Sequence, residues 1–290
     1  MAGFRNLRAL VDRQVTDGAE IFTVWRKAPA VVTAQGFWQD LSMSPGNPKP
    51  NYYASTPLVS ASLSQSSDGG VYHGGAVSPA SKYLRRLSAL TVTAGAVPLP
   101  MILCDYLLYY PFVDEGTTDP QTMTVGDSLP RYTDGAGVQM MAVVVAGHAT
   151  GGATFSVSYT NQSGVAGRTS ATVKMGTQFV NGTILTTAQA TAQCYGPFIP
   201  LQSGDTGVRS VESVTVNAPG DVGLFTLVLV KPLADISLRG IDAPVEVDYL
   251  KDRPSMPKIE DNAYLNFICC CAGSLSGASI LGEALFTWTG

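Results

Sequence analysis

The sequence predicts an all-β protein, an antiparallel β-sandwich of jelly-roll-like type with a short N-terminal helix and an extended N-terminal arm. Residues 140–146 are a continuous apolar run, which is typical of a strand buried on both faces. Residues 154–159 and 169–175 alternate apolar with polar side chains on either side of the connector 161–164. That alternation predicts a hairpin with one buried and one solvated face.

Strand signals recur from Leu84 onward at the spacing of a sandwich or barrel, with prolines between them. The predicted strands are Leu87–Thr93, Met101–Pro111, Gln139–Ala146, Thr154–Tyr159, Arg168–Met175, Gly182–Thr187, Gly207–Val216, Gly223–Lys231, Tyr264–Ala272 and Ser279–Trp288. The run 224–230 is too apolar for a half-solvated strand, so we expect it in the centre of a sheet. The number of strands favours a jelly roll over an immunoglobulin-like topology.

Residues 1–80 are predicted to form a helix and an extended arm rather than an independent globule. A helix is predicted near the N-terminus, because helical spacing places four apolar residues along one stripe: Phe4, Leu7, Leu10 and Val11. A one-sided helix must dock to be stable, either on its own domain or on an adjacent subunit. A short strand is predicted over Ile21–Trp25.

The arm is predicted from the prolines between Met43 and Pro57, which exclude helix and central strand. Tyr52 and Tyr53 are candidates to anchor this arm on a surface. A Gly- and Ser-rich stretch, 60–78, continues it. A disordered linker is the alternative, but the aromatic content of this region disfavours it.

Residues 81–290 are predicted to be the sandwich domain. Charged residues and prolines concentrate at about 235–260, which predicts an excursion over the surface before the last two strands. This excursion is either an inter-subunit contact or a solvated connection. The densest basic cluster is Lys82–Arg86, in which Arg85 and Arg86 are candidate interface anchors. A solvated face and a phosphate contact are the alternatives for that cluster.

The composition predicts association with other proteins. Charged residues make up 14% of the chain and hydrophobic residues 45%, whereas an ordinary soluble domain has roughly 25% charged residues. The low charge predicts either a surface made of Ser, Thr, Gly and Asn or a surface covered by neighbouring subunits. We favour neighbouring subunits, because neutral polar surface associates more readily than charged surface. The net charge of −4 argues against a nucleic-acid partner, and no apolar run is long enough to span a membrane.

The five cysteines are predicted to be structural. Cys269, Cys270 and Cys271 are adjacent and lack the paired spacing of a zinc site. Small buried apolar filler is the expected role. The odd number of cysteines and the lack of a signal peptide fit assembly in a reducing cytoplasm.

No candidate catalytic site emerges from the sequence. His73 and His148 are each predicted in loops, and no G-x-S-x-G elbow accompanies them. The acidic connection 112–135 either holds a structural Ca²⁺ or is simply solvated. The tyrosines at 106–110 either pack in the core or an interface, or form a sugar-stacking platform. The sequence therefore predicts no enzyme, no cofactor and no metal.

A family resemblance is carried by Asp105–Asp114, Leu129–Gly135, Gly204–Ser210 and Leu238–Tyr249. These stretches resemble uncharacterised structural proteins encoded by tailed bacteriophages. The likeness spans roughly residues 50–270. It implies membership of the virion and supplies no catalytic or binding residues.

The leading hypothesis is a capsid decoration or cement protein that stabilises the phage head by bridging capsomers through repeated interfaces. The sequence shows neither the long spine helix nor the charged extended loop of the common phage major capsid protein. The expected partners are the major capsid protein or other virion proteins, and further copies of the chain, with a trimer expected at threefold lattice positions. The expected location is the virion, assembled in the host cytoplasm.

The sequence leaves two alternative functions open: a tail, collar or baseplate protein, and a receptor- or carbohydrate-binding module. An enzyme such as a polysaccharide depolymerase would need a pair of carboxylates in a groove. The candidate interface residues are Phe4, Leu7, Val11, Tyr52, Tyr53, Arg85 and Arg86.

Overall fold

The fold is an all-β antiparallel sandwich with a short N-terminal helix, as the sequence predicts. The computed structural model describes residues 3–147, 153–176, 180–186, 195–217 and 222–290. The helices are α1 (Leu7–Val11), which continues into a π-helical turn (Asp12–Thr16), and α2 (Gln65–Asp68), with short 3-10 turns at Leu41–Met43 and Ala94–Ala96.

The strands of the described residues pair antiparallel throughout. They are β1 (Glu20–Lys27), β2 (Trp38–Asp40), β3 (Gly46–Asn47), β4 (Ala61–Ser62), β5 (Lys82–Thr91), β6 (Leu99–Asp114), β7 (Gln121–Thr122), β8 (Gln139–Ala146), β9 (Thr154–Asn161), β10 (Arg168–Thr169), β11 (Val173–Lys174), β12 (Val208–Val216), β13 (Leu224–Leu238), β14 (Val245–Asp248), β15 (Lys258–Ile259), β16 (Tyr264–Cys270) and β17 (Ile280–Trp288).

Three sheets make up the sandwich. The first sheet has the order β14-β5-β17-β1-β3, with β15 also paired to β5. The central sheet has the order β2-β16-β6-β13-β8, with β4 on β6, and the third sheet has the order β10-β9-β12-β7, with β11 on β9. The predicted jelly roll has two sheets, whereas the structure has three.

The two longest strands, β6 and β13, contribute to two different cores. Leu103 and Ile236, at one end of this strand pair, pack with residues of the first sheet such as Phe286. At the other end, residues such as Phe225 pack with Phe155 of the third sheet. Register shifts along the β6–β13 pair accompany this change of partner sheet. The apolar run of β13 therefore lies in the centre of a sheet, between β6 and β8, as predicted.

Much of the segment predicted as an arm is part of the folded body. β1 pairs along its whole length with β17, and β2 pairs with β16. The proline-rich segment that follows β2, residues 43–57, still follows an extended path, but it packs against the central sheet through Met43 and Tyr53. Short strands separated by proline carry little periodicity, which is why the sequence indicates an arm here.

Two predicted strands differ from the structure. The segment predicted as one strand from Arg168 is split into β10 and β11, because the amide of Ala171 leaves the ladder and donates to the carbonyl of Pro200 at 3.0 Å. The predicted strand Gly182–Thr187 shows isolated bridges at Thr183 and Ile184, and its last residue lies outside the described residues.

Strand β5 begins at Lys82, earlier than predicted, so the basic cluster is part of a sheet. The expected excursion at about 235–260 includes the end of β13, the edge strand β14 beside β5, and a largely exposed turn at 250–255.

Candidate interaction surface

The N-terminal helix presents apolar side chains to solvent. Asn6 caps α1 by accepting a hydrogen bond from the amide of Ala9 at 2.8 Å. Leu7, Val11 and Val15 are 62%, 45% and 79% exposed. Their four-residue spacing continues from α1 into the π-helical turn. These three residues are called the N-terminal stripe below.

The helix is held on the domain by a different set of contacts. Leu10 is buried, and the Phe4 ring lies 5.9 Å from the ring of Tyr83 on β5. Arg13 donates to the carbonyl of Thr289 at 3.1 Å, and Arg85 donates to Gln14 at 2.8 Å. The helix thus docks on its own sheet through one side and leaves the N-terminal stripe uncovered within the described residues.

Strand β1 presents a second exposed apolar surface. Every second side chain of β1 is exposed, whereas Trp25 and Lys27, on the opposite side of the strand, are buried. The exposed series is Glu20, Phe22, Val24 and Arg26. Phe22 is 52% exposed and Val24 is 56% exposed. These four side chains are called the β1 face below.

The neighbouring strands extend the β1 face. Phe22 pairs with Leu285 and Val24 pairs with Glu283 on β17. A groove of about 590 Å³ lies beside Val24, and its lining includes Leu90 and Leu281. The exposed side of the first sheet therefore combines apolar residues with a groove.

The basic cluster is occupied by contacts within the chain. Arg85 donates two hydrogen bonds to Asp248, at 3.3 and 3.2 Å. Arg86 lies 3.6 Å from Glu246. Both partners belong to the edge strand β14, so the basic cluster fixes the excursion at 235–260 to β5.

The two adjacent tyrosines have opposite environments. Tyr52 is exposed, whereas Tyr53 is fully buried at a positive φ of 54°. The Tyr53 hydroxyl donates a hydrogen bond to Asp40, and Tyr106 donates to the same carboxyl at 2.7 Å. The structure therefore places Tyr53 in the interior and not on an interaction surface.

Asp40 and Lys27 are buried ionisable groups that the sequence does not single out. Burial raises the pKa of the Asp40 carboxyl, while hydrogen bonds from Tyr53, Tyr106 and Ser42 oppose that rise. Lys27 donates to the carbonyls of Ser44 and Pro48 at 3.2 and 2.9 Å. Burial lowers the pKa of Lys27 to about 8, and the nearby Asp40 charge opposes this shift. These groups are closed to solvent and hold the extended segment in place.

A second buried polar cluster contains His73 and Lys82. The Lys82 ammonium lies 3.1 Å from His73 Nδ1, and His73 Nε2 lies 3.0 Å from the carbonyl of Ala263. Because the carbonyl can only accept, Nε2 carries the proton and Nδ1 accepts from Lys82. Burial, followed by the Lys82 charge, lowers the pKa of His73 to about 4. His73 is thus a neutral side chain in a loop, whereas His148 lies outside the described residues.

The other candidate chemical groups are also structural. Tyr106, Tyr109 and Tyr110 are buried, so they form no sugar-stacking platform. In the acidic connection, Asp127 accepts hydrogen bonds from the amide and hydroxyl of Ser62. Across the described ranges, no group of three or more His, Cys, Asp or Glu side chains is arranged to bind a metal. No helix in the same ranges is long and apolar enough to cross a membrane.

The cysteines of the described residues are mostly interior. Cys104, Cys269 and Cys271 are buried with free thiols, and Cys270 is partly exposed. This agrees with their predicted role as small core residues. Cys194 lies outside the described residues.

The sequence does not single out Val15, Phe22 or Val24 as surface residues. One feature of the sequence could have identified Phe22 and Val24. The short predicted strand Ile21–Trp25, near one end of the chain, has apolar residues on both of its sides. When a strand with two apolar sides packs one of them on the core, the other stays exposed unless a partner covers it. Phe4 is half-buried against Tyr83, and Leu7 and Val11 are exposed where the helical pattern places them.

No family model matches the chain, and no curated protein matches it. Among solved structures, the chain is weakly similar to a mutant VP2 protein of infectious bursal disease virus in derived T=1 particles, with a TM-score of 0.19 and 8% identity over 99% of this chain and 85% of that chain. A structure of the Gt strain of the same virus gives a TM-score of 0.18 and 8% identity over 98% and 87% of the two chains. Likenesses of this size carry no argument about function.

Proposed function

We propose that the chain is a structural protein of a tailed-bacteriophage particle, a capsid decoration or cement protein that bridges capsomers. The observation that carries this proposal is the N-terminal stripe. Three large apolar side chains stand in solvent on a helix that is already docked by its other side. Isolated exposed apolar residues are ordinary, but a contiguous stripe on a fixed element marks a protein contact.

Three further observations support it. The charged fraction is 14%, which suits a protein surrounded by neighbours. The buried polar clusters around Asp40 and His73 are closed to solvent and serve the fold. Of the stretches that resemble phage structural proteins, Asp105–Asp114 forms the second half of β6 in the central sheet. The partner of the stripe would be the major capsid protein or another virion protein.

The mechanism is adhesion without chemistry. Each copy would bury the N-terminal stripe on a capsid subunit, and the many equivalent positions of the lattice would add up to a large stabilisation. A substitution that places charge on the stripe should therefore release the protein from the particle without unfolding it.

The test uses particles of the virus that encodes the chain, produced with its gene deleted. Recombinant chain is added, and bound copies are counted by quantitative mass spectrometry beside a heat-release assay of the heads. We expect the wild type to bind in numbers comparable with the major capsid protein. L7D/V11D should bind weakly.

The matched control is Val125→Asp, because Val125 is 69% exposed and lies in the connection between β7 and β8 rather than in the helix. This variant should bind like the wild type. Wild-type protein that does not bind to heads, or that is found only in the small numbers of a tail component, contradicts the decoration function. Equal binding by L7D/V11D contradicts the role of the stripe.

A further inference from the structure

The β1 face has a self-complementary pattern. Along one side of β1 the exposed residues are acidic Glu20, apolar Phe22, apolar Val24 and basic Arg26. At roughly 3.3 Å per residue the two charges lie about 20 Å apart at opposite ends of the apolar pair. Reversal of the strand direction converts this pattern into its own complement.

We infer that the β1 face is a two-fold interface between two copies of this chain. A two-fold axis between the facing sheets, perpendicular to β1 and level with Thr23, places the two β1 strands antiparallel. Glu20 of each copy then faces Arg26 of the other, and Phe22 faces Val24. Such an interface is isologous, because each contact occurs twice.

The ionic groups of the β1 face are available for this pairing. In the described part of the chain Glu20 accepts a hydrogen bond from the Gln14 amide at 3.0 Å, and Arg26 donates to the Ser279 hydroxyl at 3.1 Å. Both contacts are with neutral groups, and neither side chain has an ion pair among those described. An opposite charge on a second copy would therefore add an interaction that the monomer lacks.

The shape of the sheet fits the same arrangement. Phe22 projects from the surface, and the groove of about 590 Å³ lies beside Val24, which is the position that Phe22 of the second copy would face. Glu283 on β17 lies level with Val24, and Arg86 on β5 lies level with Phe22. The two-fold rotation exchanges these two levels, so it brings Glu283 of one copy towards Arg86 of the other. The same two-fold arrangement therefore makes both apolar and charged contacts between the two copies.

The area of the face sets the expected strength. A patch about 26 Å long and four strands wide covers roughly 500 Å² per copy, or about 1,000 Å² for the pair. This is the lower limit for a specific interface. We therefore expect a reversible dimer rather than an obligate one, which a lattice of neighbours would reinforce through multivalency.

This inference deepens the proposed function by naming one of the contacts of the particle protein, but its test needs only the purified chain. Sedimentation velocity over a concentration series should show a reversible monomer–dimer equilibrium for the wild type. F22D/V24D should be monomeric. Val165→Asp is the matched control, since Val165 is 50% exposed in the hairpin between β9 and β10, and it should dimerise like the wild type.

Charge exchange tests the two-fold geometry itself. E20R and R26E should each weaken the dimer by about 10-fold, because two attractive contacts become repulsive. An equimolar mixture of E20R and R26E should recover dimers, since each variant then supplies the charge that the other needs. The double variant E20R/R26E should also recover the wild-type affinity. Circular dichroism and thermal melts confirm that every variant is folded.

The inference is overturned by a wild-type chain that stays monomeric up to its solubility limit. It is equally overturned by a dimer or trimer that survives F22D/V24D, or by a mixture of E20R and R26E that stays monomeric. None of these results affects the particle-binding assay with L7D/V11D, so a failed dimer and a failed decoration function are told apart.

Discussion

The guanidinium of Arg131 holds the buried carboxylate of Asp105 through two hydrogen bonds, 2.8 Å from Nε and 2.7 Å from Nη2. Arg131 also donates to the carbonyls of Leu63 and Tyr106, and the amide of Tyr264 donates to the same carboxylate. Burial raises the pKa of Asp105, and the Arg131 contacts oppose that rise. One ion pair thus joins the connection before β8 to β6, β16 and the segment before α2.

Loss of this ion pair should destabilise the fold strongly. R131M leaves Asp105 buried without its cation, which is expected to lower the free energy of unfolding by about 3–5 kcal/mol. The matched control is R253M, because the Arg253–Asp235 pair has a similar 2.7 Å distance but is largely exposed. That variant should cost less than about 1 kcal/mol. Urea unfolding at pH 7 compares them, and equal costs would contradict the structural role of the pair.

Tyr53 and Tyr52 provide a second matched comparison. Y53F removes a hydrogen bond to the buried Asp40 carboxyl, so we expect unfolding to become easier by about 1–3 kcal/mol. Y52F alters an exposed ring and should change the unfolding free energy by less than about 0.5 kcal/mol. Chemical denaturation measures both. A Y53F variant as stable as the wild type would contradict a stabilising role of the hydrogen bond from Tyr53 to Asp40.

His73 should make the fold sensitive to mild acid. Burial and the Lys82 charge lower its pKa to about 4 in the folded chain, whereas a histidine in an unfolded chain has a pKa of about 6.5, so the unfolded chain binds the proton more tightly. The stability that this neutral histidine contributes is complete above about pH 6.5 and is lost as the pH falls towards 4. The loss between pH 7 and pH 4.5 is roughly 2–3 kcal/mol.

The H73Q variant tests this prediction because Gln cannot titrate and can still donate to the carbonyl of Ala263. We expect its unfolding free energy to fall less between pH 7 and pH 4.5 than that of the wild type, by roughly 2 kcal/mol. The carboxylates contribute equally to both proteins and cancel in the comparison. Identical pH dependence would show that His73 is not buried as a neutral side chain.

Gly282 allows Trp25 to pack on the first sheet. These two residues pair across β17 and β1, and a Cβ at Gly282 would lie 2.2 Å from the Ser88 carbonyl oxygen and 2.3 Å from Trp25 Cζ2. G282A should therefore cost about 1–3 kcal/mol of stability through overpacking. G240A has no atom within 4 Å of the new methyl group and should be nearly neutral. Thermal unfolding distinguishes them, and a neutral G282A would contradict the close packing.

The sequence predicts the fold best where a strand is long and its burial simple. The run Gln139–Ala146 is β8 with the predicted bounds, and the apolar run of β13 lies inside the central sheet. The alternation of β9 gives its buried face directly, because Phe155, Val157 and Tyr159 all enter one core. Such patterns depend on local periodicity alone, which the sequence contains in full.

The remainder depends on pairing between distant parts of the chain. Nothing local indicates that Lys27 and Asp40 are buried, because they contact distant residues such as Pro48 and Tyr106. Tyr52 and Tyr53 are adjacent and chemically identical, and the positive φ of Tyr53 turns only one of them inward. The β1 face is missed for the same reason, since a short strand with two apolar sides does not reveal which side the fold covers.

A cryo-electron microscopy map of the intact particle that carries this chain would test the proposed decoration function most directly. We predict a β-sandwich repeated over the head lattice, with Leu7, Val11 and Val15 covered by a neighbouring virion protein. A map without this protein, or with the sandwich present and the N-terminal stripe facing open solvent in every copy, would contradict it.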